Sequence, residues 1–548
     1  MKHVRTPQWV QNAVFYQIFP DRFARSGRVS KPSGLEPWDA PPTRYGYKGG
    51  DLFGVAEKLP YLRDLGITAL YFNPIFQSAS NHRYHTQDYY QVDPLLGGNS
   101  AFEALVTAAH AIDMRIVLDG VFNHASRGFY QFQQALENGS ASPYLDWFHF
   151  DRDRLAPGVG PWAYPEAETR ADMIDSASGR ENALPLRDGK SVERYGYDAW
   201  WDIPALPKLN TDCEAVRAFI LDVAEFWIQR GADGWRLDVP EEIDDDEFWR
   251  EFRIRVKRAN PDAYIVGEIW TEADRWLQGD QFDAVMNYVF NRLSYRFFGA
   301  DCISEEHGSP GGQTLVPMTA ADMTVELPAL LDRYAPDVTR AQLNLLSSHD
   351  EPRFVNVVSG DRAAFRLATA FQMTLPGAPC IYYGDELGME GGYDPDCRRT
   401  FPRDEQAIDP TTLAWTKALI TLRHDYEVLR TGDFRVAIAD GRTFGYLRCT
   451  AESWALVTFN AGRDAWAGDV DIEAAFGGPV SVAREDTAAG QASTGIDRPH
   501  PEARIVFAST GGAQHDADGS TSLTLRNGVL AGLRLEAQSL VIAVGTFR

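Results

Sequence analysis

Three acidic side chains stand at the ends of short apolar segments and could work together on one substrate. They are Asp238 in GWRLDV, Glu268 in GEIW and Asp350 in SSHDEPR. Each apolar segment predicts a buried strand, where a terminal charge costs free energy unless it is paired or used. Because strand ends converge in an alternating α/β chain, the pattern indicates one site. Two working carboxylates with a third as helper are typical of glycoside hydrolysis.

The neighbours of these carboxylates suggest how the work is divided. Retaining hydrolysis needs an ionised nucleophile and a protonated acid about 5–5.5 Å apart. Arg236 shares a strand face with Asp238, and a nearby guanidinium lowers a carboxyl pKa, so Asp238 is the candidate nucleophile. Glu268 ends an apolar run that raises its pKa, as a general acid requires. Asp350, after His349, could bind sugar hydroxyls. The alternative for any one of them is an ion pair at the rim of the fold.

Eight strand-like segments alternate with helix-like segments up to about residue 430. A helix is predicted over 212–230, with a cap at Thr211 or Asp212 and an end at Gly231, because its apolar residues recur on one face. The alternation predicts a parallel (β/α)8 TIM barrel with its site at the carboxyl ends of the strands. An open doubly wound sheet is the alternative, but no GxGxxG motif follows the first strand. The predicted strands are residues 13–19, 67–74, 115–122, 233–239, 264–269, 282–288, 342–349 and 379–384.

Two regions depart from this alternation. The stretch 123–205 is rich in Pro, Gly, Asp and Trp, and a structureless loop of that length is rare, so a small inserted domain is expected after the third strand. Its Trp200 and Trp201 either shape the substrate site or pack against the barrel. After residue 430, short alternating segments between Gly and Asp turns predict an all-β C-terminal domain. The predicted boundaries are 1–122 and 206–430 for the barrel, 123–205 for the inserted domain and 431–548 for a C-terminal β-sandwich.

Composition limits the class of partner. The chain of 548 residues has a net charge of −24, which argues against nucleic acid or an anionic membrane and fits a neutral small-molecule substrate. Its five cysteines include no CxxC pair, so neither a disulfide framework nor a zinc site is expected. The first residues are too polar for a signal peptide, and no apolar run is long enough to span a bilayer. A cytoplasmic protein is expected, with its oligomeric state left open.

Seven motifs in a fixed order make the chain resemble the alpha-amylase superfamily, glycoside hydrolase family thirteen. DGVFNH (119–124), GWRLDV, GEIW and SSHDEPR resemble its four conserved regions, and LPKLN (206–210) resembles a fifth. LPKLN is typical of the neopullulanase, cyclomaltodextrinase and maltogenic amylase group, as are SASNHRYHTQDYYQVDP (78–94) and GGYDPDCRR (391–399). The match extends over nearly the whole chain.

The resemblance implies roles for individual residues. Asp238 would be the nucleophile, Glu268 the acid/base and Asp350 the stabiliser of the transition state. The residues implied for the subsite of the cleaved glucose are His124 and His349 as hydroxyl binders, Tyr84 as stacking partner, His82 as hydrogen-bond partner, Asp119 as internal support, and Asp394 and Arg398 as lining residues. Packing of a loop by His82 and Tyr84, and an ordinary ion pair between Asp394 and Arg398, are the alternatives.

Glu242 lies four residues after Asp238. In the resembled group this position faces the acceptor and influences transfer to sugars rather than to water. Its setting here is VPEEI, with Pro240 and Glu241 where the group has Ala-Asn. The alternative is a solvated charge at a helix start, within the acidic run EEIDDDE.

Two features depart from the resembled group. That group has an extra N-terminal β domain, whereas the first predicted strand here begins near residue 13, so we do not expect that domain, and the dimer that it forms is left open. Some members bind calcium after the first strand, but the loop ARSGRVSKPSG has no carboxylate or Asn. Gly49 and Asp51 alone fall short of the roughly six to eight oxygen ligands of calcium. Neither a cofactor nor tightly bound calcium is predicted to be required.

The resemblance implies a retaining enzyme for α-1,4 bonds of short malto-oligosaccharides or cyclodextrins, with some α-1,6 cleavage and transglycosylation. The same fold and triad serve glucosyl transferases and sucrose or trehalose isomerases, an alternative that LPKLN disfavours. A non-catalytic glycan-binding protein is a third interpretation. It is disfavoured because all three carboxylates are present.

Overall fold

Eight short parallel strands form the centre of the fold. Their order in the sheet is β6-β5-β4-β3-β2-β1-β8-β7, and a parallel bridge between Met286 and Leu343 joins the two edges. The sheet is therefore a (β/α)8 TIM barrel, as predicted, and every predicted strand overlaps an observed one. The strands are β1 (Phe15–Ile18), β2 (Ala69–Phe72), β3 (Arg115–Gly120), β4 (Gly234–Leu237), β5 (Tyr264–Gly267), β6 (Ala284–Val285), β7 (Leu343–Leu345) and β8 (Ala378–Tyr382).

The chain divides into two compact units, and the barrel strands all lie in the first. This computed structural model describes residues 4–155, 161–164, 189–476, 503–509, 522–523, 525–526 and 529–546. The first unit comprises residues 1–288, 341–353 and 378–409, and the second comprises 289–340, 354–377 and 410–548. Within the described ranges, no helix combines the length and the apolar character that a membrane span would need.

Alternate strand residues fill the barrel with apolar side chains. The buried cluster includes Phe15, Tyr71, Val117, Tyr264 and Val266. Side chains two residues apart share a strand face, so each of these rows continues toward the carboxyl end of its strand. There the rows change from apolar to polar. The continuing residues are Gln17, Asn73, Asp119 and Glu268.

Helices alternate with the strands, and one of them tests a predicted boundary. The helix predicted over 212–230 spans Glu214–Gln229, and Gly231, with φ 98°, follows its C-cap as expected. The predicted cap at Thr211 or Asp212 is wrong, because the N-cap is Cys213. The side chain of Asn210 accepts the backbone N–H of Asp212 at 3.1 Å, which holds that residue in a turn before the helix.

The described helices follow the strands in sequence, except that a turn-rich segment connects β5 to β6. Their bounds are Gln8–Asn12, Pro20–Phe23, Leu52–Leu65, Gly98–His110, Tyr130–Asn138, Ser191–Tyr195, Glu214–Gln229, Asp246–Ala259, Tyr288–Phe298, Ala320–Leu331, Pro336–Ala341, Phe354–Val357, Arg362–Thr374, Pro410–Asp425, Glu427–Thr431 and Ile472–Phe476. A hairpin of Phe76–Ser78 and Thr86–Val92 lies between β2 and β3.

The described parts of the stretch 123–205 pack around aromatic side chains. Phe132 stacks on Phe150 at 5.5 Å between ring centroids and meets Tyr197 edge-on at 4.9 Å. A small apolar cluster of Ala135, Leu145 and Leu155 lies in the same stretch. These contacts give the segment a core of its own.

The C-terminal part is antiparallel β structure, as predicted. One sheet has the order β9-β10-β11-β17-β13-β14 and a second has β12-β16-β15. An apolar cluster with Trp454, Leu456 and Leu533 contains residues of both sheets. The strands are β9 (Asp433–Asp440), β10 (Thr443–Cys449), β11 (Ser453–Asn460), β12 (Trp466–Asp471), β13 (Ala503–Ala508), β14 (Ser522–Leu523), β15 (Leu525–Arg526), β16 (Val529–Leu535) and β17 (Ser539–Thr546).

Candidate active site

One guanidinium stands at the centre of the predicted site. Arg236 is fully buried, and its Nη1 donates to both carboxylate oxygens of Asp119 at 2.7 and 2.9 Å. The same Nη1 donates to Asp238 Oδ1 at 3.0 Å, and Nη2 lies 2.8 Å from Glu268 Oε1. The structure therefore brings the candidate nucleophile and the candidate acid onto one cation. The contact between Arg236 and Glu268 crosses from β4 to β5, and no local pattern in the sequence indicated it.

Strand register explains why these groups meet. Asp119 on β3 pairs in register with Arg236 on β4. Asp238 follows β4 directly, and Glu268 follows β5 directly. Because β3, β4 and β5 are parallel neighbours, their carboxyl ends open at the same rim of the barrel. The polar residues at the ends of these short strands therefore meet at the carboxyl rim of the barrel, just beyond its apolar interior.

Burial controls the charge of both central carboxyls. Burial raises the pKa of Glu268 well above its usual range, with Asp238 and Asp350 adding to the rise and Arg236 opposing it. Burial also raises the pKa of Asp238 to about 8, again against the opposing charge of Arg236. The sequence predicted a lowered pKa for Asp238. The expected contact is present, but burial outweighs a guanidinium that three carboxylates share.

Asp350 lies in a second charged cluster. Arg398 Nη2 is 3.3 Å from Asp350 Oδ1, and Arg398 Nη1 is 2.8 Å from Asp394 Oδ1. The Nε of Arg398 donates to the backbone carbonyl of His349 at 2.8 Å. Burial raises the pKa of Asp350, and Arg398 and then Arg236 oppose that rise. Asp394 and Arg398 do form an ion pair, and Arg398 also contacts Asp350.

A chain of hydrogen bonds links the two clusters through His349. Gln17 Nε2 lies 3.0 Å from His349 Nδ1, and Tyr84 Oη lies 2.6 Å from His349 Nε2. Tyr84 donates to Asp119 at 2.9 Å and accepts from Asn73 at 3.1 Å. Burial lowers the pKa of His349 well below its usual value. The amide donor at Nδ1 assigns the proton of this neutral ring to Nε2.

Sequence reasoning missed Gln17 and Asn73 in this network. Each continues an inward-facing apolar row of its strand and is fully buried. A polar residue in such a row is the signal that could have found them. The ring of Tyr84 stacks on that of His349 at 5.5 Å, with 3° between the planes.

The remaining predicted histidines line the same rim. The ring of His82 stacks on Tyr84 at 5.7 Å, and its Nδ1 accepts the backbone N–H of Tyr84 at 3.2 Å. His124 is buried and stacks on Trp200 at 4.9 Å, while Asn123 Nδ2 lies 3.2 Å from its Nδ1. Burial lowers the pKa of His124 to about 3 and lowers that of His82 as well, so both rings are neutral.

Two further contacts involve Val239 and Glu242, which follow Asp238 in the chain. Lys208, from the LPKLN motif, has its Nζ 3.4 Å from Glu242 Oε2. Val239 donates its backbone N–H to Glu268 Oε2 at 3.1 Å. Val239 has φ 35° and ψ 52°, a left-handed conformation that is unusual for a β-branched residue. Nothing in the sequence around Val239 indicated this conformation.

The loop after β1 does not fit a calcium ion. One oxygen of Asp51 accepts the N–H of Gly54 at 2.8 Å. The other accepts the N–H of Ser26 and lies 3.1 Å from Lys31 Nζ. Gly49 donates its N–H to Asp21, so the neighbouring carboxylate is also engaged. Across the described ranges, no three His, Cys, Asp or Glu side chains are grouped as metal ligands.

The chain is similar to known proteins over most of its length. The alpha-amylase catalytic-domain model matches residues 17–418. The chain is 42% identical to a cyclomaltodextrinase of Geobacillus thermopakistaniensis (strain MAS1), a match that covers 80% of this chain and 66% of that protein. It is 41% identical to neopullulanase 2 of Thermoactinomyces vulgaris, covering 83% of this chain and 70% of that protein.

A solved structure matches over the full length. Ttha1563 from Thermus thermophilus superposes with a TM-score of 0.82 at 41% identity, covering 98% of this chain and 99% of that one. The family model covers well over half of the chain. The chain belongs to the alpha-amylase superfamily, glycoside hydrolase family thirteen.

Proposed function

We propose that this protein is a retaining α-glycoside hydrolase of malto-oligosaccharides and cyclodextrins, acting on α-1,4 bonds, with some α-1,6 cleavage and transglycosylation. One observation carries the proposal. Asp238 and Glu268 approach the guanidinium of Arg236 at 3.0 and 2.8 Å from neighbouring strand ends. Two buried carboxyls beside one cation do not both ionise readily, so one keeps a proton. A proton on one carboxyl and a charge on the other is what retaining hydrolysis needs.

The residues take the following roles. Asp238 attacks the anomeric carbon while Glu268 gives its proton to the departing sugar oxygen, so the glycosidic bond breaks as a glycosyl ester forms. Ionised Glu268 then takes a proton from water, which opens the ester and releases the sugar with its α configuration retained. Asp350 accepts hydrogen bonds from the sugar and stabilises the positive charge of the transition state.

The rim residues hold the sugar for this reaction. Neutral His82, His124 and His349 donate to or accept from sugar hydroxyls without adding charge beside Glu268. Tyr84 stacks on that sugar, and Asp119 supports Tyr84 by accepting the hydrogen bond of its hydroxyl group. Asp394 orients Arg398, which in turn holds Asp350.

Glu242 takes part on the acceptor side in this proposal. Its side chain is 34% exposed and is paired with Lys208, in a loop that begins at Val239. An exposed carboxylate there can bind the hydroxyls of an incoming sugar and favour transfer over hydrolysis.

The choice of substrate is supported by relatives named cyclomaltodextrinase and neopullulanase. The chain spans only about two thirds of those proteins, 66% and 70%, so their whole activity is extended here as a proposal. The predicted domains remain proposals too, with the barrel in 1–122 and 206–430, an inserted domain in 123–205 and a β-sandwich in 431–548. A cytoplasmic location fits the five free cysteines, which a reducing compartment preserves.

The experiment is a comparison of products from β-cyclodextrin, maltotriose, pullulan and starch at equal enzyme concentration. Fast cleavage of β-cyclodextrin and maltotriose with slow cleavage of starch is the expected result. Fast starch cleavage would instead indicate an enzyme for long polymers. Transfer products from maltose or sucrose without hydrolysis would move the function to the transferases and isomerases of the family.

A further inference from the structure

Two adjacent tryptophans of the inserted stretch form a turn beside the candidate active site. We call residues 200–203 the tryptophan turn. Trp200 donates its backbone N–H to the carbonyl of Leu206 at 2.9 Å, and Ile203 donates to the carbonyl of Trp200 at 3.0 Å. Leu206 begins the LPKLN motif, whose Pro207 accepts the N–H of Ala125, the residue after His124. The turn is thus tied through backbone bonds to the segment that carries His124.

Side-chain contacts continue this link. The rings of His124 and Trp200 stack at 4.9 Å with 17° between their planes, and Trp200 and Trp201 lie 5.1 Å apart. His124 is 1% exposed, whereas Trp201 is 39% exposed. An aromatic row therefore leads from the buried rim of the site to the surface.

One buried nitrogen atom in this row has no hydrogen-bond partner among the described residues. It is Nε1 of Trp200, an indole N–H that can only donate. Buried donors are nearly always satisfied in folded proteins, so this unpaired donor, on a ring stacked against His124, indicates a ligand with an acceptor oxygen.

The backbone of the turn is strained. Trp201 and Asp202 both have φ 54°, the left-handed region that bulky residues avoid. The carboxylate of Asp202 accepts the N–H of Ser191 at 2.8 Å and that of Gly189 at 3.1 Å, which holds the conformation in place. Such strain is concentrated at ligand sites, where the surroundings enforce it. Here it turns the exposed indole of Trp201 outward beside Trp200.

We propose that Trp200 and Trp201 determine specificity for α-glucan chains. The indole N–H of Trp200 donates to a hydroxyl of the glucose at the cleavage subsite, next to His124, and the face of Trp201 carries the next glucose ring. The inference rests on the proposed function. Packing between the inserted stretch and the barrel is the alternative role, but it accounts neither for the exposure of Trp201 nor for the unpaired donor of Trp200.

The test uses two substrates of different length. α-Glucosyl fluoride fills only the cleavage subsite, whereas maltotriose extends beyond it. We expect W201A to lower kcat/KM for maltotriose by about 10-fold or more and to leave that for α-glucosyl fluoride within about two-fold, because only the longer substrate reaches its ring. We expect W200F, which keeps an aromatic ring against His124, to lower kcat/KM for both substrates by about 10-fold.

The control is W162A, since Trp162 is another exposed tryptophan of the same stretch, at 57% exposure. It should leave both substrates unaffected. Equal losses on both substrates in W201A, or no loss in either variant, would overturn the inference. Titrating maltotriose calorimetrically into D238N and D238N/W201A separates binding from turnover. A wild-type enzyme that hydrolyses neither substrate contradicts the proposed function itself, whereas an active wild type with unchanged variants contradicts only this inference.

Discussion

At the scale of single residues, the site holds more buried acid than base. The guanidinium of Arg236 contacts three carboxylates, those of Asp119, Asp238 and Glu268. The carboxylate of Asp350 is paired with Arg398. One guanidinium cannot compensate three carboxylates in a buried rim, so protons are retained there. The surplus of acidic groups is the physical reason why a carboxyl can act as an acid near neutral pH.

Two effects are expected of D238N. Its loss of the nucleophile should abolish turnover, and its loss of a buried carboxyl with a raised pKa should stabilise the fold at high pH. Loss of a catalytic nucleophile lowers kcat by about 10^4-fold or more. Because the pKa of Asp238 is raised to about 8, the folded state loses stability as pH rises from about 4, the unfolded value, to 8. Asparagine has no charge to bury. The gain in Tm of D238N over wild type should therefore grow across this range in calorimetry.

The control for this prediction is V216A, in a regular helix, because it changes no titratable group. Its Tm difference from wild type should not vary with pH in the way that of D238N does. A D238N protein that loses stability as pH rises would show that Asp238 is a stabilising ion-pair partner rather than a strained carboxyl.

The same surplus sets the pH dependence of kcat/KM. Both central pKa values are raised, so the two limbs of the profile belong to the coupled pair and lie above the values of about 3.9 and 4.3 for free carboxyls. Activity should fall on the alkaline side as Glu268 loses its proton, at a pH well above the usual range of a glutamate carboxyl. A profile centred below pH 5 on maltotriose would contradict this charge balance.

At the scale of elements, strand ends and the turns after them position the chemistry. The sequence indicated the strands and the residues at their ends, because apolar rows and their polar endings are local patterns. It did not indicate that Arg236 reaches Glu268, since that contact depends on the register of β4 against β5. β7 also ends at Leu345, before the predicted 349, so His349 and Asp350 are carried by an irregular segment whose path no periodicity encodes.

The turn after β4 is a testable case. Val239 holds Glu268 through its backbone N–H in a left-handed conformation that costs an Ala or Val about 1–2 kcal/mol but costs Gly little. We expect V239G to be more stable than V239A by about 1 kcal/mol in denaturant unfolding, the reverse of the usual order. Both variants keep the N–H and should keep activity.

The matched control is the pair V216G and V216A, in a regular helix. There alanine should be the more stable of the two by about 0.5–1 kcal/mol. If V239A exceeds V239G by the same margin, the turn after Asp238 is not strained and Val239 has no positioning role.

At the scale of the whole molecule, two lysines supply close polar contacts in the loop after β1. The Nζ of Lys31 lies 3.1 Å from Asp51 Oδ2. The fully buried Lys48 donates to the carbonyls of Pro37 and Ala40 at 2.8 and 2.6 Å. We therefore expect full activity and an unchanged Tm after dialysis against a chelator. Activity that is lost to the chelator and restored by calcium would contradict this expectation.

The barrel strands and the C-terminal β structure could be predicted because their apolar residues recur in local patterns, whereas the inserted stretch was inferred from its length and its content of Pro, Gly, Asp and Trp. The conformation of the tryptophan turn could not be predicted, since it depends on the hydrogen bond that Asp202 accepts from the backbone N–H of Ser191. Motif order identified the family, while the partners of Lys208 and Gln17 required the folded chain. Local sequence patterns thus predicted the architecture, whereas the contacts within the site depend on residues far apart in the sequence.

The most direct test of the central claim is to trap the covalent intermediate. The protein would be incubated with 5-fluoro-α-glucosyl fluoride, digested and analysed by mass spectrometry. We expect one 5-fluoroglucosyl group, in ester linkage to Asp238, and no label in D238N. Label on a different residue, or an active enzyme that releases β-configured sugar and accumulates no ester, would contradict a retaining mechanism through Asp238.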